Sequence, residues 1–191
     1  MRYYQLVDDI ERPNRWHLGG LIGFDGEEFT QGPMIPLTSP LRDQRVEVKL
    51  QVPGRQMDFT TTSHRSVPIV SFRVIKALSG LDCFTAFVTH IPGVARRTAH
   101  YILHIWDRVD CVDEKASLFD RVDENHPVRP DLAGQYGPFM KLVIDPDRAA
   151  GKDLFRLARA GSEIIASERV KQRFAAARVT GAVFQDVTPA G

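Results

Sequence analysis

This sequence predicts an α+β fold: a single domain built on a largely antiparallel sheet with a few helices. Residues Val46-Glu47-Val48-Lys49-Leu50-Gln51-Val52 alternate apolar and polar, the period of a half-buried strand. Two longer runs, 83–91 and 98–112, are rich in β-branched and aromatic residues and flank Pro92-Gly93, which reads as an antiparallel pair. Helical spacing of apolar residues is confined to two short stretches, each opened by a serine.

The elements follow in order. Residues 3–7 alternate weakly and open the chain as a strand. Between 12 and 45, Pro13, Pro33, Pro36 and Pro40 and the glycines at 19, 20, 23, 26 and 32 demand loops and short strands. Pro53-Gly54 turns the chain after the alternating strand, and Met57 to Thr61 forms the next one. Ser71 is an N-cap; Val74, Ile75 and Leu78 share a helical face, and Gly80 stops the helix. After the strand pair, Phe139 to Ile144 is a strand closed by Asp145-Pro146-Asp147. Residues 153–158 are too short to assign. Ser167 caps a second helix through Val170, Phe174 and Ala177, and Gly181 breaks the chain before a last strand, Ala182 to Val187. The domain thus divides into a loop-rich part, 1–62, and an α+β part, 63–191. Ile69-Val70-Ser71-Phe72-Arg73-Val74 and Ile165-Ala166-Ser167-Glu168-Arg169-Val170 align with Ile, Ser, Arg and Val identical. So short a match is expected of a packing device used twice, of an old duplication, or of chance.

Composition narrows the functional classes. The 191 residues are 43% hydrophobic and 26% charged, with 25 Lys plus Arg against 24 Asp plus Glu. A formal charge of +1 provides no field to draw the chain onto nucleic acid or an anionic membrane. The N-terminal residues lack an apolar stretch of signal-peptide length, and no run of apolar residues is long enough to span a bilayer. Cys83 and Cys111 make no disulfide framework or zinc half-site and are expected as reduced, buried thiols. The expected compartment is cytoplasmic.

No catalytic pattern emerges. His100 and His104 share a strand face about 13 Å apart at ~3.3 Å per residue, too far for one ion. No HExxH, GxSxG, GxxxxGK[ST] or GxGxxG occurs, and neither cysteine has a histidine beside it. Asp110, Asp113 and Glu114 at a strand end read as a solvated rim. The expectation is no catalytic residue, no metal and no cofactor.

Charge does vary along the chain. Residues 107–124 hold seven acids and three bases, and residues 148–178 hold eight bases and three acids. Either these faces compensate one another, or they form separate zones suited to recognising a charged protein. In the second case Trp106, Asp120, Asp123 and Glu124 are the candidate partner-binding residues, facing a basic site. Arg169, Lys171 and Arg173 are the alternative, facing an acidic one.

The order of motifs is more specific than any one of them. It runs Met1-Arg2-Tyr3-Tyr4, Asn14-Arg15-Trp16-His17-Leu18-Gly19, Gly54-Arg55-Gln56-Met57-Asp58-Phe59 and Val67-Pro68-Ile69-Val70-Ser71. It continues with Tyr101-Ile102-Leu103, Val109-Asp110-Cys111-Val112-Asp113 with Ser117, and Leu142-Val143-Ile144-Asp145-Pro146. It closes on Asp153-Leu154-Phe155-Arg156-Leu157, Ile165-Ala166-Ser167-Glu168 and Thr180-Gly181-Ala182-Val183-Phe184. In this order the chain resembles immunity protein family eleven of the bacterial polymorphic-toxin systems, common in myxobacteria. The resemblance implies a cytoplasmic, non-catalytic antitoxin. Its partner would be a cognate toxin encoded by an adjacent gene and delivered by type VI or contact-dependent secretion. It implies no metal, cofactor, nucleic acid or membrane, and it maps no toxin-binding site. The competing classes are an enzyme acting on a small molecule or nucleic acid, and a regulatory or structural binding module.

Overall fold

The computed structural model describes residues 1–23, 26–28, 46–63, 67–95, 98–123 and 132–189. In chain order the strands are β1 (Tyr3–Asp8), β2 (His17–Ile22), β3 (Glu47–Val52), β4 (Phe59–Thr61) and β5 (Pro68–Ser71). Helix α1 (Phe72–Ala77) follows, then β6 (Phe84–Thr89), β7 (His100–Ile105), β8 (Arg108–Val109), β9 (Leu118–Arg121), β10 (Tyr136–Lys141), β11 (Leu154–Leu157) and β12 (Ala160–Ser167). Helix α2 (Glu168–Ala176) and β13 (Ala182–Asp186) complete the chain. The architecture is the expected α+β, mostly antiparallel sheet with two helices among the described residues.

Two sheets repeat one plan. The first is ordered β4-β5-β7-β6 and the second β11-β12-β1-β13, with β8 added parallel outside β11. In each, an antiparallel strand pair leads into a serine-capped helix, and the strand after the helix pairs with the sheet's remaining strand. The register agrees residue by residue. Phe59 opposes Val70 as Leu154 opposes Ala166, and Tyr101 opposes Val70 as Tyr4 opposes Ala166. Strand β1, from the other end of the chain, therefore occupies the place that β7 holds in the first unit.

Alternation across both sheets explains their apolar sequences, since each sheet is buried on two faces. On the inner face, Phe59, Val70 and Leu103 of the first unit meet Leu154, Ala166 and Leu6 of the second. The helices add Val74 and Leu78 against Val170 and Phe174, all within one core cluster. On the outer faces, ribbon β2–β3 brings Leu18, Leu21 and Val48 onto Ile69 and Ile102. Ribbon β9–β10 brings Phe119, Tyr136 and Phe139 toward Phe155 and Ile165. Trp16, 1% exposed, lies in the outer core of the first unit and donates its indole N–H to Thr60 Oγ1 at 2.8 Å. Arg15 beside it is buried because Asp8 pairs with it at 2.5 Å.

Several boundaries differ from expectation. The single strand expected over 98–112 ends at Ile105, where Trp106 N–H bonds to Cys83 carbonyl. The chain then leaves the first sheet, and β8 pairs with β11 of the second; Arg156 N–H on Asp107 carbonyl, 2.8 Å, secures the crossing. The strand expected over 139–144 begins earlier and ends at Lys141, leaving Ile144 in an isolated bridge with Val112. Residues 154–157 form a fully buried strand. The loop-rich stretch 12–45 contains β2, and residues 24–25 and 29–45 lie outside the described residues. At Gly181 (φ +86°) a Cβ would come within 2.2 Å of Phe59 carbonyl oxygen, so the two units approach too closely there for any side chain.

Candidate functional site

Both serines form the expected caps, and each belongs to a larger joint. Ser71 Oγ accepts from Arg73 N–H (3.2 Å) and donates to Asp58 (2.7 Å), thirteen residues earlier. Ser167 Oγ accepts from Val170 N–H (3.4 Å) and donates to Asp153 (2.7 Å), fourteen residues earlier. In each joint the arginine two residues after the serine returns to the same aspartate. Sequence reasoning found the Ser-x-Arg repeat but missed the aspartates; the signal was an Asp before each apolar strand, Asp58-Phe59 and Asp153-Leu154.

The acidic stretch lies on β8, β9 and the turn between them. Asp113 accepts from the backbone N–H groups of Lys115 (3.0 Å) and Ala116 (3.1 Å), and Ser117 Oγ ties the turn to Val143 carbonyl. Phe119, Tyr136 and Phe139 stack with centroids 4.7 to 5.5 Å apart. Arg159 lies 4.6 Å from the Tyr136 ring centroid and bonds Asp110 (3.2 Å) and Glu114 (3.0 Å). Glu114 also takes the Tyr136 hydroxyl at 2.7 Å and pairs with Arg121. Burial, reinforced by that hydrogen bond, pushes the Tyr136 phenol up to about 12. The Tyr136 hydrogen bond and the two arginines hold Glu114 below the usual carboxylate range. Nearby, Lys152 pairs with Asp107 at 3.0 Å. Lys152 and Arg159 come from the basic stretch, so the two oppositely charged segments meet at Asp107, Asp110 and Glu114.

Trp106 is 42% exposed at the end of β7, and Asp120 is exposed on β9 with no ion pair among the described residues. They belong to different sheets. Asp123 is exposed, and Glu124 lies outside the described residues. On α2, Arg169 is engaged by Asp153 and Lys171 stands 3.8 Å from the Tyr4 ring centroid. Arg173 donates to Ser79 carbonyl (2.9 Å) and Ala77 carbonyl (3.4 Å), closing the end of α1. Between the helices an open groove of about 760 Å³ is lined by Phe72, Arg73, Lys76 and Arg173 with small residues between them.

The remaining reactive groups are quiet. Burial pushes the Cys83 thiol to about 11 and Cys111 to about 12, so neither is a nucleophile at neutral pH. Burial also lowers His100 and His104. Arg156, buried in β11 and lowered to about 10 by that burial, donates to the Gly161 carbonyl at 2.6 Å. Among the described residues no group of three His, Cys, Asp or Glu could hold a metal ion, and no helix is long and apolar enough to cross a membrane.

The family model described as Immunity protein family (Imm11) matches residues 25–189. The chain belongs to this family. Membership carries an immunity function against a toxin. The match begins after β1 and β2, yet in this immunity protein β1 is hydrogen-bonded between β12 and β13 and completes the second sheet. No curated protein matches the chain.

Proposed function

We propose that this immunity protein neutralises a cognate toxin by stoichiometric, non-catalytic binding in the cytoplasm of the cell that makes it. In this reading the toxin is encoded by an adjacent gene and delivered by type VI or contact-dependent secretion. Nucleic acid, membrane and cofactor take no part. Family membership across residues 25–189 is the observation that carries the reading. Buried, high-pKa thiols fit it, because an inhibitor needs a stable scaffold and a complementary surface rather than a reactive group.

Two charged surfaces are candidates. The acidic rim at Asp120 and Asp123, followed in sequence by Glu124, and Trp106 at the end of β7 suit a basic toxin site, and Arg169, Lys171 and Arg173, spread around α2, suit an acidic one. Opposed potentials would speed encounter and penalise wrong partners. Co-purification with the product of the adjacent gene tests the function; two proteins that elute separately and do not affect each other's activity would sink it. Reversing Asp120, Asp123 and Glu124 to lysine tests the rim. Weaker binding with an unchanged Tm supports the rim, and unchanged affinity and salt dependence remove it.

A further inference from the structure

The repeated plan allows one surface to be compared with its own counterpart. In the second unit, Tyr4 on β1 opposes Asp186 on β13. Its hydroxyl bonds Glu168 at the start of α2, and Lys171 covers its ring at 3.8 Å. Tyr4 is 3% exposed beneath this polar cover. The corresponding positions in the first unit are Tyr101 on β7, Val88 on β6, Phe72 at the start of α1, and Ile75. Phe72 and Tyr101 stack loosely, with centroids 6.4 Å apart. Phe72 is 55% exposed and Val88 72%. The fold itself accepts Glu, Asp and Lys at these places, as the second unit shows, so apolar side chains here are not a packing requirement.

Phe72 also forms one end of the groove between the helices. Arg73, Lys76 and Arg173 line that groove, and no carboxylate does. Lys76 has no ion pair among the described residues. Arg73 is paired with Asp58 at 3.4 Å and Arg173 bonds backbone carbonyls, so Lys76 is the unpaired cation of the three. An apolar patch beside it, with no carboxylate lining the groove, fits a partner that offers an apolar side chain flanked by a carboxylate. A second copy of this chain fits poorly, because a two-fold contact on the patch would bring Arg73 and Lys76 toward their own copies.

We propose that Phe72, Val88 and Tyr101, bordered by Arg73 and Lys76, form the anchor site for an acidic segment of the toxin. This rests on the binding function proposed above and places the contact on the α1 side rather than on the acidic rim.

Calorimetric titration with the catalytically inactivated toxin domain encoded beside this chain tests it. Phe72→Glu combined with Val88→Asp installs the residues of the second unit and is expected to weaken binding about 10–100-fold. Lys76→Glu is expected to weaken it ~3–10-fold and flatten its salt dependence. The Tm of each variant should stay near the parent's. Should the double variant fail to fold, Val88→Thr alone, similar in shape and still β-branched, should cost about threefold. Parent binding with unchanged affinity in the double variant, or in Val88→Thr where that serves in its place, overturns the anchor site and leaves the immunity function standing. Sedimentation that shows a parental dimer, made monomeric by these substitutions with toxin affinity unchanged, also overturns it by assigning the patch to a second copy. A parent that does not bind the toxin overturns the binding function and the anchor together.

Discussion

Asp58 and Asp153 stand at equivalent places in the two units, yet one carries more of the fold than the other. Asp153 holds Ser167 and Arg169, both of its own unit. Asp58 holds Ser71 and Arg73 and also receives the Thr180 backbone N–H at 3.0 Å and its hydroxyl at 2.9 Å, from the entry to β13 in the other unit. Beside it, Phe59 N–H bonds Thr180 carbonyl, and Gly181 lies against Phe59 carbonyl. One acid caps a helix locally, while its counterpart caps a helix and fastens two sheets. The surfaces diverge as well: polar and self-satisfied around Tyr4, apolar and open around Tyr101. A repeated plan fixes the backbone, and a few side chains at matched positions give the first unit both the acid that fastens the two sheets and the open patch.

The largest effect should come from the core that the two units share. Leu78→Ala and Phe174→Ala each leave a cavity in the same cluster and should cost about 2–5 kcal/mol. We propose that the chain unfolds as one unit, so urea denaturation should show one transition, and the double variant should depart from additivity. Independent transitions with additive costs would mean that the two units stand separately.

Asp58→Asn should cost about 2–3 kcal/mol, the scale of charge-assisted hydrogen bonds, and Asp153→Asn less, because Asp153 lacks the Thr180 pair. Burial raises the Asp58 carboxyl, but the hydrogen bonds from Ser71 and Thr180 and the Arg73 charge outweigh it and hold the group below its ordinary 3.8. With the folded pKa depressed, its stabilisation is complete above 3.8 and is lost as pH falls through the lower folded value. Asp58→Asn should therefore flatten the acid limb of the stability profile. Equal costs for the two variants, or an unchanged acid limb in Asp58→Asn, would erase the distinction between the joints.

The smallest effect concerns the caps alone. Ser71→Ala and Ser167→Ala should each cost ~0.5–2 kcal/mol, measured as a fall in Tm. Ser71 should be the costlier, since Asp58 loses a partner in the joint that also spans the units.

What the sequence made legible was local. Ser71, Ser167, Gly80 and Gly181 announce helix limits because caps and left-handed turns depend on neighbours in the chain. Strand β3 announces itself through alternation. The break at Trp106-Asp107 was illegible because no Gly or Pro marks it; Cys83 and Arg156 end one strand and start the next from distant positions. Strand β12 was hidden because Ala160-Gly161-Ser162-Glu163 looks like a polar loop and is a strand only through β1 and β11. Charge segregation was visible along the chain, but the pairing of Lys152 with Asp107 and of Arg159 with Asp110 is a property of the fold. The open patch of Phe72 and Val88 had no sequence signal, since isolated apolar residues are common; it stands out only beside Glu168 and Asp186.

The central claim is inhibition by binding, and titrating toxin activity with increasing immunity protein tests it most directly. A stoichiometric inhibitor predicts a linear loss of activity that ends sharply at one equivalent and does not deepen with time. Progressive loss of toxin activity at a small fraction of an equivalent would mean that the chain destroys or modifies the toxin catalytically, and would contradict the account.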